Sequence, residues 1–234
     1  MTAIKSNNSL ETTSLPRLDA AGKVTGATHY PGDITPENLL HGKVLFSGQP
    51  HARMLAIDLT AALEVPGVVA IFTAQDVPVN EYGLIMPDQP VLVGLNSSKA
   101  HSDISLWEGD QVAVVVAETE AAAAQARDKI QIAWEPLPIV TDPEEALQDK
   151  PVLHPWQGTN VLQKYQIRKG DMDAGWDEAD VVVVGEYRVP HQEHAYLQPE
   201  AGLGYIDEDG RVTIEIAGQW THEDQEQVAH ALGL

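Results

Sequence analysis

The side chains with the most chemical potential lie in residues 171–194. His191-Gln192-Glu193-His194 sets two imidazoles around a carboxylate, and Asp171, Asp173, Asp177, Glu178 and Asp180 crowd five carboxylates into a short segment. The first group looks like a zinc motif, but it lacks the helical HExxH arrangement and falls one residue short of HxxEH. If a strand runs through it, alternation puts His191 and Glu193 on one face and Gln192, His194 and Tyr196 on the other, so the imidazoles diverge. Buried polar groups in satisfied hydrogen bonds account for these residue types equally well. The acidic group has neither EF-hand spacing nor its terminal glutamate, and reads as the solvated side of a short helix containing Ala174, Trp176 and Ala179. His51, between Pro50 and Ala52, reads as a turn residue bonding local backbone. Gly22, Gly26, Gly32 and Gly42 are too widely spaced to cradle a phosphate, and no Walker A or GxGxxG run appears.

Composition narrows the chemistry further. The chain has no cysteine, which excludes disulfides, thiolate zinc sites, cysteine nucleophiles and iron-sulfur clusters held by these residues. Redox chemistry here requires a borrowed group. A formal net charge of -21 repels phosphate backbones, so nucleic acid is not an expected partner. No window approaches about 18 consecutive apolar residues, and the start lacks a secretory pattern; the expectation is no membrane partner and a cytoplasmic location. The 234 residues, 43% apolar, suffice for one large domain or two ordinary ones, and the punctuation favours two.

The positioning elements are clearest in residues 109–137. A β-branched run at 112–116 follows the Gly109-Asp110 turn signal and reads as a buried strand. An alanine-rich segment at 118–129, free of Gly and Pro, reads as a helix, and alternation at 130–134 predicts a second strand that Pro136 ends. Such a crossover ordinarily returns parallel and right-handed. Upstream, strands are expected at 40–47, 52–58 and 68–72, with a short helix at 59–63 capped by Asp58. Residues 80–107 carry Gly83, Pro87, Pro90 and Gly94 and read as a long surface excursion or a binding loop. Downstream, the pattern predicts two helical turns at 144–147, strands at 180–189, 196–205 and 212–216 with a hairpin signal at Glu208-Asp209-Gly210, and a helix over 221–232 whose last turns pack. Residues 1–16 read as a flexible tail.

Together these segments resemble the N-terminal part of the molybdenum-cofactor subunit of the xanthine dehydrogenase and aldehyde oxidoreductase family. The resemblance rests on Arg17-Leu18-Asp19, Lys23-Val24-Thr25-Gly26-Ala27, Tyr30 with Asp33, Pro50-His51-Ala52-Arg53, Ile57-Asp58, Pro66-Gly67-Val68, Asp76-Val77-Pro78, and the 109–137 unit with Trp134 in place of the commoner aromatic. Gly170-Asp171, Ala179-Asp180 and Gln192-Glu193-His194 before Tyr196-Leu197 extend it, although Gln198 stands where the family has an acidic residue.

The fold implied is α+β: a mixed-sheet a/b hammerhead domain over 17–150, then an incomplete α/β molybdopterin-binding domain segment over 151–234. The family's glycine-rich cofactor loop and general-base glutamate have no counterpart in this sequence, so no catalytic residue and no direct metal ligand is expected in it. Gln219 is the one cofactor-binding candidate, because Ala217-Gly218-Gln219 after the 212–216 strand resembles the family's Ser-Thr-Gln, whose glutamine hydrogen-bonds an oxo ligand. A neutral amide can make that bond without adding charge. An exposed or helix-capping glutamine is the plainer alternative. The resemblance implies a molybdenum hydroxylase acting on aldehydes or N-heterocycles, with a molybdenum-molybdopterin cofactor in the complete enzyme, none held stably by these residues alone, and partners comprising the remainder of the molybdenum subunit and iron-sulfur and FAD-bearing subunits or domains. An apolar face at 181–189 and 212–216 also makes self-association plausible. A different class, a stand-alone non-catalytic hammerhead-type binding module, is distinguished by whether the reading frame or a neighbouring one carries the glycine-rich and glutamate-bearing segments.

Overall fold

The computed structural model describes residues 17–84, 86–196 and 200–234; the expected tail at 1–16 lies outside them. Two compact units emerge, each discontinuous in sequence: one takes the segment ending at Glu37 together with Tyr196–Gln219, the other takes Asn38–Ala195 and Trp220–Leu234. This division cuts across the sequential 17–150 and 151–234 segments, because a helix at the C-terminal end packs back onto a loop far upstream.

The larger unit is built around two three-stranded sheets. Its strands are β1 (His41–Phe46), β2 (Ala52–Asp58), β3 (Val68–Phe72), β4 (Ile104–Ser105), β5 (Gln111–Ala117) and β6 (Gln131–Pro136), arranged as β1-β5-β3 and β4-β2-β6. Strand β5 is central because both its faces are apolar. Period-two alternation sends Val112 to one side, where it meets Met54 and Val93 with Trp134 and Ile132 packed against them, and Val115 and Ala117 to the other. On that second side lie Ala62, Val65, Ala123 and Ala126, all buried. The last two alanines belong to α3 (Glu120–Arg127), whose missing side-chain bulk lets the helix sit close to the sheet. Thr119 starts this helix by accepting a hydrogen bond from the Ala122 N–H at 3.1 Å, satisfying one of the otherwise unpaired first-turn donors.

The strand, helix, strand sequence of 109–137 forms, but the parallel return does not. Every named strand pair among the described residues is antiparallel, and β6 joins β2 in the other sheet. Strand β5 already has β1 and β3 on its two edges, so no edge is left for β6. Helix α3 instead carries the chain over to the free edge of β2, where Ala52 faces Pro136 and Asp58 faces Gln131. The short helix after β2, α2 (Thr60–Leu63), begins one residue later than expected, with Asp58 Oδ1 accepting the Thr60 N–H at 2.9 Å.

The excursion at 80–107 is not a loose surface loop. Asn80 is fully buried: its Nδ2 donates to Leu92 O at 2.8 Å and Ser97 Oγ at 2.7 Å, while its Oδ1 accepts the Leu92 N–H at 2.8 Å. This amide ties the start of the excursion to its middle, where Leu92 and Val93 are buried. Sequence composition registered only the turn formers around it.

The smaller unit contains α1 (Ala20–Thr25), a 3-10 turn at Pro31–Asp33, and a hairpin of β7 (Gly202–Ile206) and β8 (Val212–Ile216). The turn signal at 208–210 is realised: Asp207 Oδ1 accepts the Asp209 and Arg211 N–H groups, and Gly210 takes the left-handed φ of 80° needed to close the turn. Strand β7 starts later than the expected 196, and Leu197 and Gln198 lie outside the described residues.

One predicted strand is absent. Residues 181–189 carry no ladder, and Val181 and Val184 are 78% and 91% exposed. A β-prone run still needs a partner for its backbone groups, and the described residues provide none. The remaining helices are α4 (Pro143–Ala146), α5 (Met172–Asp177) and α6 (Thr221–Leu232).

Candidate functional site

Gln219 sits at the bend between β8 and α6, exposed, with no hydrogen-bond partner among the described residues. It does not cap the helix, since the residue in the capping position is Trp220 and no side chain caps there. Its amide is therefore free to bind something else. In the same unit, Glu200, Ala201, Gly202, Ile216 and Ala217 line an open cavity of about 280 Å³ at the end of the hairpin. Adding a Cβ at Gly202 would bring it within 2.6 Å of Ile216 Cγ2, so glycine is what keeps the two strands in close register there.

A molybdopterin group demands hydrogen-bond donors for its oxygens and a firm hold on its phosphate. A glutamine amide suits a neutral hydrogen bond to an oxygen of such a group. The cavity lining offers a carboxylate and apolar carbons, with no cationic or multiple-donor cradle for a phosphate. The residues present fit the group as one contact, not as its whole grip.

The other candidates resolve differently. The 191–194 segment is not a strand, so the two alternating faces do not form; His191 and His194 are both exposed, and Glu193 Oε1 accepts the N–H of His194 at 3.0 Å. The Tyr196 hydroxyl bonds Glu200 Oε1. In the acidic segment Asp171 accepts the Ala174 N–H at 3.1 Å, capping α5, while Trp176 stays exposed. Asp173 and Asp177 lie within this helix of six residues, and Asp171 and Glu178 stand at its two ends. His51 is buried, and its Nδ1 meets Pro138 O, 87 positions away, rather than local backbone. Leu137 N–H donates back to His51 O at 3.0 Å, so this residue clamps the chain leaving β6 onto the start of β2.

Sequence reasoning missed the docking of α6. Val79 N–H donates to Ala231 O at 3.1 Å, Gly83 N–H to Gln227 Oε1 at 3.2 Å, and His230 Nε2 meets Glu81 Oε1 at 3.2 Å. Lys99 Nζ reaches the other Glu81 oxygen at 3.3 Å. The hydrogen bond from His230, then that from Lys99, holds the Glu81 carboxyl below its ordinary range. The only signal available was the apolar bias of the last helical turns, Val228, Ala229 and Ala231. It marked the end that packs but not the loop it packs on.

Residues 25–138 match the family profile described as aldehyde oxidase and xanthine dehydrogenase, a/b hammerhead domain, and residues 153–234 match the molybdopterin cofactor-binding domain. A probable xanthine dehydrogenase subunit of Bacillus subtilis is 35% identical over 93% of this chain and 28% of its own length. The nicotinate dehydrogenase large molybdopterin subunit of Eubacterium barkeri is 33% identical over 93% of the chain and 49% of its own. Among solved structures, the aldehyde oxidoreductase from Desulfovibrio gigas superposes with a TM-score of 0.80 at 28% identity, covering 94% of this chain and 25% of that one. The chain thus spans from about a quarter to about half of these relatives' lengths. No helix among the described residues is long and apolar enough to cross a membrane. Two successive matched segments, carried on this α+β architecture, place the chain in the xanthine dehydrogenase and aldehyde oxidoreductase molybdenum-subunit family.

Proposed function

We propose that this chain scaffolds the molybdopterin site of a cytoplasmic molybdenum hydroxylase that oxidises aldehydes or N-heterocycles. Residues 17–150 serve as the hammerhead domain, and residues 151–234 begin the cofactor-binding domain. The observation that carries this reading is the succession of the two matches, 25–138 and then 153–234, in one chain. When bound, the molybdenum cofactor supplies metal-directed hydroxylation with water-derived oxygen. This chain contributes position. Gln219 offers a neutral amide donor toward an oxygen of that group, and the β7–β8 hairpin presents it from a regular element rather than a long loop. The remainder of the molybdenum subunit supplies the rest of the grip, and iron-sulfur and flavin subunits or domains carry electrons away. Self-association through the exposed Val212, Ile214 and Ile216 face belongs to the same reading.

The test uses the chain purified from cells able to make molybdopterin. Alone, it should carry molybdenum far below one atom per chain and show no dye-linked oxidation of aldehydes or purines; stoichiometric metal with activity would overturn the scaffold role. Assembled with the remaining polypeptide of a molybdenum subunit, Gln219→Ala should alter the molybdenum EPR spectrum and slow turnover by about 10–100-fold. An unchanged spectrum would remove Gln219 from the site.

A further inference from the structure

Met54 of β2 meets Val112 of β5 across the two sheets of the larger unit, with Val93 of the excursion packed beside them, and all three are buried. Next to that contact lies a cavity of about 360 Å³, floored by the same three side chains. This is the size of a small-molecule pocket, about 300–1,000 Å³. One wall is β2 itself. Strand β4 runs alongside only Ala52 and Arg53, and the Met54 N–H still donates to Asp103 O at 2.7 Å; from Leu55 to Asp58 that edge of β2 has no strand against it among the described residues. A bulge at Leu55 shifts the register at the same point, re-aiming the strand where the cavity opens. The second wall, Val93 to Asn96, is fixed by its own backbone. The Val93 N–H donates to Gln111 O at 2.7 Å and the Gly94 N–H to Ser102 O at 2.8 Å, while Ser102 Oγ donates to Gly94 O at 3.0 Å. The cavity is therefore formed without help from a ligand, which spares the cost of ordering it on binding.

Its lining selects against charge. The chain carries a formal net charge of -21, and 21% of its residues are charged, yet no ionisable side chain is among the described residues that line the cavity. An ion entering it would lose water and gain no counter-charge. The floor is apolar, and the polar groups stand at the rim. The Thr73 hydroxyl is engaged, donating to Asp76 Oδ2 at 3.0 Å. The Gln75 and Asn96 amides are exposed and have no hydrogen-bond partner among the described residues. Each amide offers both donors and an acceptor. Asn96 holds a left-handed φ of 56°, a conformation that asparagine and glycine tolerate.

We infer that this cavity is a binding site for an uncharged, mainly apolar ring compound of one or two fused rings that carries a hydrogen-bonding edge. The rings lie against Met54, Val93 and Val112, where they leave water for an apolar floor, and the edge meets the Gln75 and Asn96 amides at the rim. A carboxylate or phosphate of the same shape is refused for want of a cation. This inference rests on the walls of the larger unit alone, so it holds or fails independently of the scaffold role.

The experiment titrates the full chain with indole, which is uncharged, bicyclic and carries one N–H donor, and follows the Met54, Ile57, Val93 and Val112 methyl signals by NMR. These signals should shift together and saturate with a Kd of about 1 mM or tighter. Indole-3-carboxylate, the same rings with a negative charge, should bind at least about tenfold more weakly. Ala56→Phe places a ring of the chain's own beside the exposed edge of β2 and should abolish the shifts. Asn96→Gly keeps the left-handed turn, deletes the amide and should weaken indole by about 3- to 10-fold. The inference is overturned by the absence of saturation up to about 10 mM, a limit tenfold above the expected Kd. Equal binding of the carboxylate, or unchanged binding by Ala56→Phe, would overturn it as well. If Ala56→Phe fails to fold, the wild-type comparison of indole with its carboxylate decides by itself.

Discussion

Val115 and Val184 are the same residue type in two β-branched runs, and the structure assigns them opposite energetic weight. Val115, on the central strand, is fully buried against α2 and α3, whereas Val184 is 91% exposed. Truncation to alanine removes two methyl-sized groups. At about 0.8 kcal/mol for each buried carbon, the transfer cost at Val115 is about 1.6 kcal/mol. The void left against Ala123 and Ala117, which are too short to collapse into it, raises this to about 2–3 kcal/mol. At Val184 there is little transfer to lose, and the effect should stay within about 0.5 kcal/mol. Urea unfolding followed by far-UV circular dichroism reads both. With an m-value of about 2 kcal/mol/M, Val115→Ala should lower the midpoint by about 1 M, and Val184→Ala should leave it in place. Equal losses at the two positions would mean that residues 181–189 are packed in solution, and would refute the reasoning that left them without a partner.

Further outcomes follow from the polar contacts. Asn160→Ala should destabilise the larger unit by about 2–3 kcal/mol, because three hydrogen bonds vanish and the Leu153 N–H is left without its acceptor; calorimetry showing no loss would mean that water replaces the amide fully. Glu81 has a carboxyl pKa depressed in the folded state, so its contribution is present above the unfolded value of about 4.5 and is lost as pH falls through the folded one. Glu81→Gln should therefore flatten the acid limb of the stability curve below about pH 4.5 and increase amide exchange in the last turns of α6. An acid limb as steep as that of the wild type would assign it to other carboxylates.

Much of the local structure was legible because it depends on near neighbours in the chain. The runs that became β2, β3, β8 and α6 could be bounded from alternation, turn residues and propensity, since those signals act over a few residues. The family, too, was legible from the order of short motifs such as Pro50-His51-Ala52-Arg53 and residues 109–137. Pairing was not. That β6 would leave β5 for β2 depended on which strand edges were still free, and the valines at 181–189 became exposed because a ladder requires a second strand that local propensity cannot provide. Likewise His51 reached Pro138 and α6 found Val79 and Glu81 through contacts between residues far apart in sequence, invisible to any window. Sequence by itself settled most of the local elements and the family; only the tertiary structure decided their partners, and with them whether the 181–189 run became a strand, because backbone hydrogen bonds and buried faces are satisfied by whatever the completed fold brings alongside them.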